Sequence, residues 1–159
     1  MSDARGSDPD AASIAAAATS WLTEARPPFG VPATLGAPLP IRAPSGAPDG
    51  WFVPLLAGER LLGYLRFTVD GERRGLSSFQ RRHGDLASCP LAADWLDLER
   101  ISARAREHGP RGSAVSVPVL SYDGSPERLA WRVDFSDANG RHVSVCVAGV
   151  VAWRCAGAG

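Results

Sequence analysis

Cys89 and His83 are the first pair in this chain whose types and spacing suit chemistry. The imidazole lies six residues before the thiol, and an imidazole that accepts a thiol proton is the basic unit of a cysteine nucleophile. Ser88-Cys89-Pro90 also marks a helix start, where the positive end of the macrodipole favours a thiolate. No third residue that would orient the imidazole is identifiable, and the same tripeptide reads equally as helix-start chemistry around an inert thiol. His142 and Cys146 stand four apart on one face of a strand, with Cys155 able to approach from the end of the last strand. Zinc wants four nitrogen or sulfur ligands, usually with a closely spaced pair such as C-x2-C, and that pair is missing. No metal and no cofactor is therefore expected. Three cysteines form no even disulfide framework, so buried or inert thiols are expected at all of them.

Arginine supplies the other candidates. All 17 basic residues are Arg, and Arg73, Arg74, Arg81 and Arg82 gather around Phe79 in the stretch GERRGLSSFQRRH. Guanidinium forks suit carboxylate or phosphate, and an aromatic ring among them can stack on a base or on an acidic peptide's side chain. A solvated loop beside a strand is the plainer alternative. Tyr64, Arg66, Arg132 and Asp134 lie opposite the apolar stripes of two strands that read alike. If those faces share one side of a sheet, a Tyr/Asp pair could act on a small ligand as hydrogen-bond donor and base. Cross-strand pairing of Arg with Asp on a wet face is the duller explanation.

The elements that must position these residues follow from periodicity. Asp8-Pro9 predicts a helix start with Asp as N-cap, and Ile14, Ala18, Trp21 and Ala25 form one stripe of a helix from about Pro9 to Ala25. From Arg26 to Gly50 the run of Pro and Gly argues against helix and central strand and favours an extended chain, which Phe29, Leu35, Leu39 and Ile41 could pin down. Leu61, Gly63, Leu65, Phe67 and Val69 then alternate with Leu62, Tyr64, Arg66 and Thr68, which predicts a strand. Leu129, Trp131, Val133 and Phe135 do the same against Ala130, Arg132, Asp134 and Ser136. Between them one helix is expected over Pro90 to His108, with Leu91, Trp95, Leu98 and Ala105 on its stripe. Asn139-Gly140 predicts a hairpin into Val143, Val145 and Val147, and a last short strand covers Val150 to Trp153.

The chain also repeats itself. VPLL, ERL and a strand ending at Phe67 before Asp70-Gly71 are echoed by VPVL, ERL and a strand ending at Phe135 before Asn139-Gly140. The spacing Leu61/Phe67 equals Leu129/Phe135, and Trp21-Leu22 and Trp95-Leu96 precede the two copies in helical surroundings. A tandem duplication of helix-plus-antiparallel-strand units is expected, with residues 9–83 as the first, residues 84–159 as the second, and the two sharing one sheet. Residues 1–8 are read as a disordered tail.

A helix followed by an antiparallel meander resembles the cystatin-like and PepSY-like α+β folds, in which a curved sheet wraps one helix. AWRVDFSDANGRHVSVCVAGVVAW is similar to a PepSY hairpin that turns at D-x-x-G and ends on a short strand. The resemblance implies a module that binds or restrains a peptidase. The QxVxG loop of cystatins is absent, since the only glutamine, Gln80, precedes Arg81-Arg82-His83.

Zero formal net charge removes the long-range attraction to phosphate backbones and anionic lipid, so nucleic acid and membrane are not expected partners. No stretch approaches the roughly 20 apolar residues of a bilayer span, and the acidic start MSDARGSDPD followed by IAAAAT lacks a signal-peptide pattern. A cytoplasmic protein is expected. The exclusive use of Arg with abundant Ala, Gly and Pro suits a GC-rich bacterial genome. Taken together, the sequence points to a non-catalytic module that binds a protein or peptide partner through Arg73, Arg74, Phe79, Arg81, Arg82, Tyr64, Arg66, Arg132 and Asp134. Two alternatives stand beside it: a small enzyme or small-molecule carrier with a pocket on the concave sheet face, and an assembly subunit whose edge strand pairs with its own copy in a homodimer.

Overall fold

The computed structural model describes residues 9–26 and 29–156. The expected tail, residues 1–8, and the expected helix cap Asp8 lie outside the described residues. The first half contains α1 (Ala11–Ala25), β1 (Thr34–Leu35), β2 (Leu39–Arg42), β3 (Pro48–Ala57), β4 (Arg60–Phe67) and β5 (Arg73–Ser78). The second contains α2 (Ala92–Leu96), α3 (Leu98–Arg106), β6 (Ala114–Val115), β7 (Val119–Tyr122), β8 (Leu129–Ser136), β9 (His142–Ala148) and β10 (Val151–Arg154). The result is a compact α+β protein with two antiparallel sheets rather than the single sheet expected. One sheet runs β1-β3-β4-β5 with β2 also on β3; the other runs β10-β9-β8-β6 with β7 also on β8. β2 and β7 approach each other at the seam without pairing. Pro40 in β2 has no N–H with which to extend a ladder across it.

Local chemistry explains most boundaries. The Asp10 carboxylate caps α1 by accepting the Ser13 N–H at 2.9 Å. The single helix expected over Pro90 to His108 is instead broken at Asp97, whose extended backbone ends α2 and whose carboxylate accepts the Glu99 and Arg100 N–H groups to start α3. This break turns Leu98 outward, while Trp95, Ile101 and Ala105 stay buried. The proline-rich segment forms β1, β2 and the start of β3, which is a central strand. Pro48 opens that strand, and Pro54 falls opposite the short link between β1 and β2, where Gly36 N–H reaches its carbonyl at 2.9 Å. A missing donor is tolerated at such a gap. Phe29 and Ile41 are buried and pin the segment, as expected.

A β-bulge corrects the expected face assignment of β4. Leu55 pairs with Gly63 and Leu56 with Leu61, so Leu62 is the extra residue and the alternation reverses there. Leu62, Leu65 and Phe67 therefore pack with Ile14, Ala18, Phe29, Val53 and Leu55 in the core beneath α1. Leu61 joins Ile41, Phe52, Trp95, Ile101, Leu120, Trp131, Val133, Phe135, Val145 and Val147 in a second core shared by the two sheets and by α2 and α3. The sequence repeat likewise falls out of step with the topology. Leu61–Phe67 lies in β4, the fourth strand of its half, and Leu129–Phe135 in β8, the third of its own.

Gly50 joins these features at one point. Its φ is +133°, and a Cβ there would meet the Phe67 carbonyl oxygen at 2.2 Å. Gly46 has φ +91° but open space around it. Gly50→Ala is expected to destabilise by about 2 kcal/mol or more, and Gly46→Ala by about 1 kcal/mol, in urea denaturation. Equal losses would mean that the close β3–β4 approach at Gly50 is absent.

Candidate functional site

A cleft of about 220 Å³ opens where the first sheet meets the second half of the chain. Tyr64 and Arg66 of β4, Arg74, Gly75 and Ser77 of β5, and Pro126 and Glu127 of the β7–β8 turn line it. Register decides which residues reach it. Arg66 pairs with Gly75 and Phe67 with Arg73, which leaves Arg74 as the extra residue of a bulge. Arg73 consequently turns toward α1, its guanidinium 5.6 Å from the Trp21 ring centroid, while Arg74 lines the cleft. Two adjacent arginines thus serve opposite faces. Gly75 leaves the floor open, because a Cβ there would meet nothing within 4 Å.

Arg66 dominates the electrostatics. Its side chain is only 12% exposed and lies 3.7 Å from Asp49 Oδ2, an ion pair too long to be a hydrogen bond. Nη1 donates to the Pro126 carbonyl. Nε and Nη2 are buried with no hydrogen-bond partner among the described residues, and so is Asp49 Oδ2. A guanidinium held away from water with unused N–H groups is costly, and an oxygen anion that accepts them offsets that cost. The Ser125 hydroxyl, with further help from Arg66 and Arg74, holds the Glu127 carboxyl below its ordinary range. Glu127 therefore keeps a negative charge beside the two arginines.

The remaining residues singled out from the sequence go elsewhere. Phe79 is not presented among arginines; it stands in an aromatic row, with ring centroids 6.0 Å from Tyr64 and 5.6 Å from Trp95, while Tyr64 stacks on Phe52 at 4.6 Å. Arg81 and Arg82 are exposed on the following loop, where the Arg81 N–H donates to Ser88 Oγ. Arg132 and Asp134 lie on the outer face of the other sheet, 3.6 Å apart, and both engage Ser144 Oγ. Tyr64 and Asp134 are thus in different sheets and do not share a site.

The cysteines also depart from expectation. Cys146 and Cys155 are joined in a disulfide with Cα atoms 5.3 Å apart, which removes both from the metal set considered with His142. The β9–β10 hairpin makes this possible by bringing the end of β10 back to β9, with Cys155 N–H on the Ser144 carbonyl at 3.0 Å. Cys89 is buried, and its Sγ–H faces the Asp85 carbonyl at 3.6 Å. Burial first, then the Asp85 carboxylate, push its thiol up, the reverse of an activated nucleophile. The His83 ring packs over Gly30, where a Cβ would come within 2.6 Å of Nε2.

Two buried carboxylates escaped the sequence reading. Asp94 accepts from Arg100 at 3.1 Å and Arg104 at 3.4 Å, and Arg104 also donates to the Gly149 carbonyl at 2.7 Å. Asp123 accepts from Trp153 Nε1 at 2.7 Å and from the Ala156 N–H at 2.9 Å, anchoring β10 and the residues just after it. Neither was signalled locally: Arg100 and Arg104 lie six and ten residues beyond Asp94, across the break at Asp97, and Trp153 lies 30 residues beyond Asp123.

The fold and site define a two-sheet α+β protein with an arginine-lined cleft beside the seam. No family model, curated protein or solved structure matches the chain. Among the described residues, no helix is long and apolar enough to cross a membrane.

The raised Cys89 thiol has a definite sign for stability. The fold favours the neutral form, so the contribution is complete below the ordinary value of 9.0 and fades as pH climbs through the higher folded value. Between about pH 8 and about pH 10, the native chain is expected to lose stability more steeply than Cys89→Ala in urea titrations. Parallel curves would show that this thiol is not held neutral.

Proposed function

We propose that this protein is a non-catalytic binding module that takes an acidic group of a protein or peptide partner into the cleft of Arg66 and Arg74. The observation that carries the reading is the Arg66 guanidinium, buried with Nε and Nη2 making no hydrogen bond among the described residues and with Asp49 Oδ2 no nearer to Nη2 than 3.7 Å. The cleft offers a carboxylate the positive charge of Arg66 and Arg74, which Asp49 and Glu127 offset in part, and Tyr64 and Ser77 line the same cleft. The volume of about 220 Å³ suits one side chain or terminal group of a larger partner rather than a whole metabolite. Glu127 competes for the arginines and keeps the empty cleft from attracting every anion. An acid–base enzyme built on Tyr64 and Asp134 is disfavoured by their separation into two sheets.

The shared order of strands, a two-residue, a four-residue and three hairpin-linked strands after one helix in the first half and two in the second, supports reading the halves as copies of one cystatin-like or PepSY-like unit. A cytoplasmic setting belongs to this proposal too, with one condition. Disulfides in reducing compartments are usually ones that open and close.

Fluorescence polarisation with a labelled glutamate-rich peptide and its glutamine counterpart tests the binding. The acidic peptide is expected to bind and the neutral one not. Arg66→Gln is expected to lose about tenfold or more in affinity, the worth of a hydrogen bond to a charged group. Gly75→Leu, which fills the floor, is expected to abolish binding, and Glu127→Gln to strengthen it about fivefold. Equal affinity for the two peptides, or no effect of these variants, would overturn the proposal.

A further inference from the structure

A second cleft, of about 340 Å³, lies on the outer face of the other sheet, and Cys155 of the disulfide forms part of its wall. Arg132, His142, Ser144, Arg154 and Cys155 line it. The two sulfurs are unequally placed: Cys146 is 1% exposed, whereas Cys155 is half-buried at the cleft. Arg132 is the direct cross-strand partner of Cys146 in the β8–β9 ladder. Directly opposed residues of an antiparallel pair project from the same face with Cβ atoms roughly 5 Å apart. The Arg132 side chain therefore starts beside the sulfur that would be released if Cys155 were attacked, and its guanidinium is held on the same face by Ser144 Oγ at 3.3 Å. Its charge is only partly spent, since Asp134, 3.6 Å from Arg132 Nε, is 60% exposed.

We propose that Cys146–Cys155 is a redox-active disulfide that exchanges with a small anionic thiol, with Cys155 as the sulfur attacked. In this step the incoming thiolate forms a bond to Cys155 Sγ and the Cys146–Cys155 bond breaks. Its electron pair leaves on Cys146 as a thiolate, and the product is a mixed disulfide on Cys155. A second thiol then attacks the mixed disulfide, the Cys155 thiolate leaves, and the two small thiols depart as their own disulfide, having given the two electrons that reduce both cysteines. Arg154 and His142 favour a thiol carrying carboxylates, and Arg132 stabilises the leaving Cys146 thiolate, which speeds exchange because a lower thiol pKa makes a better leaving group. Other bonds keep the strand in place meanwhile. Trp153 Nε1 and Ala156 N–H hold Asp123, and Cys155 N–H holds the Ser144 carbonyl. The bond can thus open without β10 being released. This inference is independent of the arginine cleft on the first sheet.

The test uses glutathione on the folded full chain, with acid quenching, alkylation and peptide mapping by mass spectrometry. The expected result is a glutathione adduct on Cys155 and an alkylated Cys146. Arg132→Gln is expected to slow adduct formation and to make the dithiol about tenfold less favoured in glutathione redox buffers, which corresponds to about 30 mV in midpoint potential. Arg132→Lys, which keeps the charge, is expected to restore both values; equal impairment of the two variants would overturn the electrostatic role of Arg132. The neutral thiol 2-mercaptoethanol is expected to react more slowly than glutathione at matched thiolate concentration, and to lose less when salt is added. An adduct found on Cys146, or a bond reduced only after denaturation, would overturn the proposal.

Discussion

The core shared between the two sheets is the constraint on which the rest of the structure depends. Phe52 and Leu61 from the first sheet, Trp131, Val133 and Phe135 from the second, and Trp95 from α2 bury one another in a single cluster. The indole N–H of Trp131 is deep in that cluster and survives there because the Trp95 carbonyl accepts it at 2.7 Å. This bond ties α2 to β8, while the row Phe52, Tyr64, Phe79 and Trp95 ties the first sheet to α2. Neither half could leave its inner face in water without exposing large aromatic area, so the halves are held at a fixed spacing.

That spacing creates the cleft. Pro126 and Glu127 belong to a turn of the second half, yet they close over Arg66 and Arg74 of the first. The Pro126 carbonyl satisfies one guanidinium nitrogen, while Nε and Nη2 are buried without a hydrogen bond among the described residues. Packing between apolar groups thereby decides the chemistry of a charged one. The charge cannot be removed by a shift in protonation, as it can for a lysine, so the guanidinium stays positive beside Asp49, whose carboxylate lies 3.7 Å away.

The second sheet solves a different problem. Among the described residues no helix covers its outer face, and β9 and β10 are held by covalent and polar links: the disulfide, Asp123 on Trp153 and Ala156, and the stack of Arg128 on the Trp153 ring at 5.7 Å. Of these only the disulfide can be undone by chemistry under native conditions. Asp94 plays the matching part on the covered face, where Arg100 and Arg104 neutralise it and carry its hold to Gly149. A buried carboxylate with two guanidinium partners is tolerable where a lone one would not be.

The sequence by itself determined the local elements. Period-two alternation placed β4 and β8, the Asn-Gly pair placed the β8–β9 hairpin, and Ile14 and Ala18 marked the buried stripe of α1, because these signals depend on neighbours a few residues apart. It also marked Tyr64, Arg66 and Arg74 as residues to watch. Only the tertiary structure decided that these three meet, that Arg73 faces away from Arg74, that Leu61 and Leu62 enter different cores, and that Cys146 and Cys155 are bonded. Each of those outcomes turns on register: a bulge moves every later side chain to the other face, and a bulge is chosen by how the partner strand packs. The proline-rich segment is extended, as its composition indicates, but that it supplies strands, including the start of central β3, was not legible locally. Its strands have little propensity of their own and exist because β3 offers an edge and Phe29 and Ile41 have a core to enter.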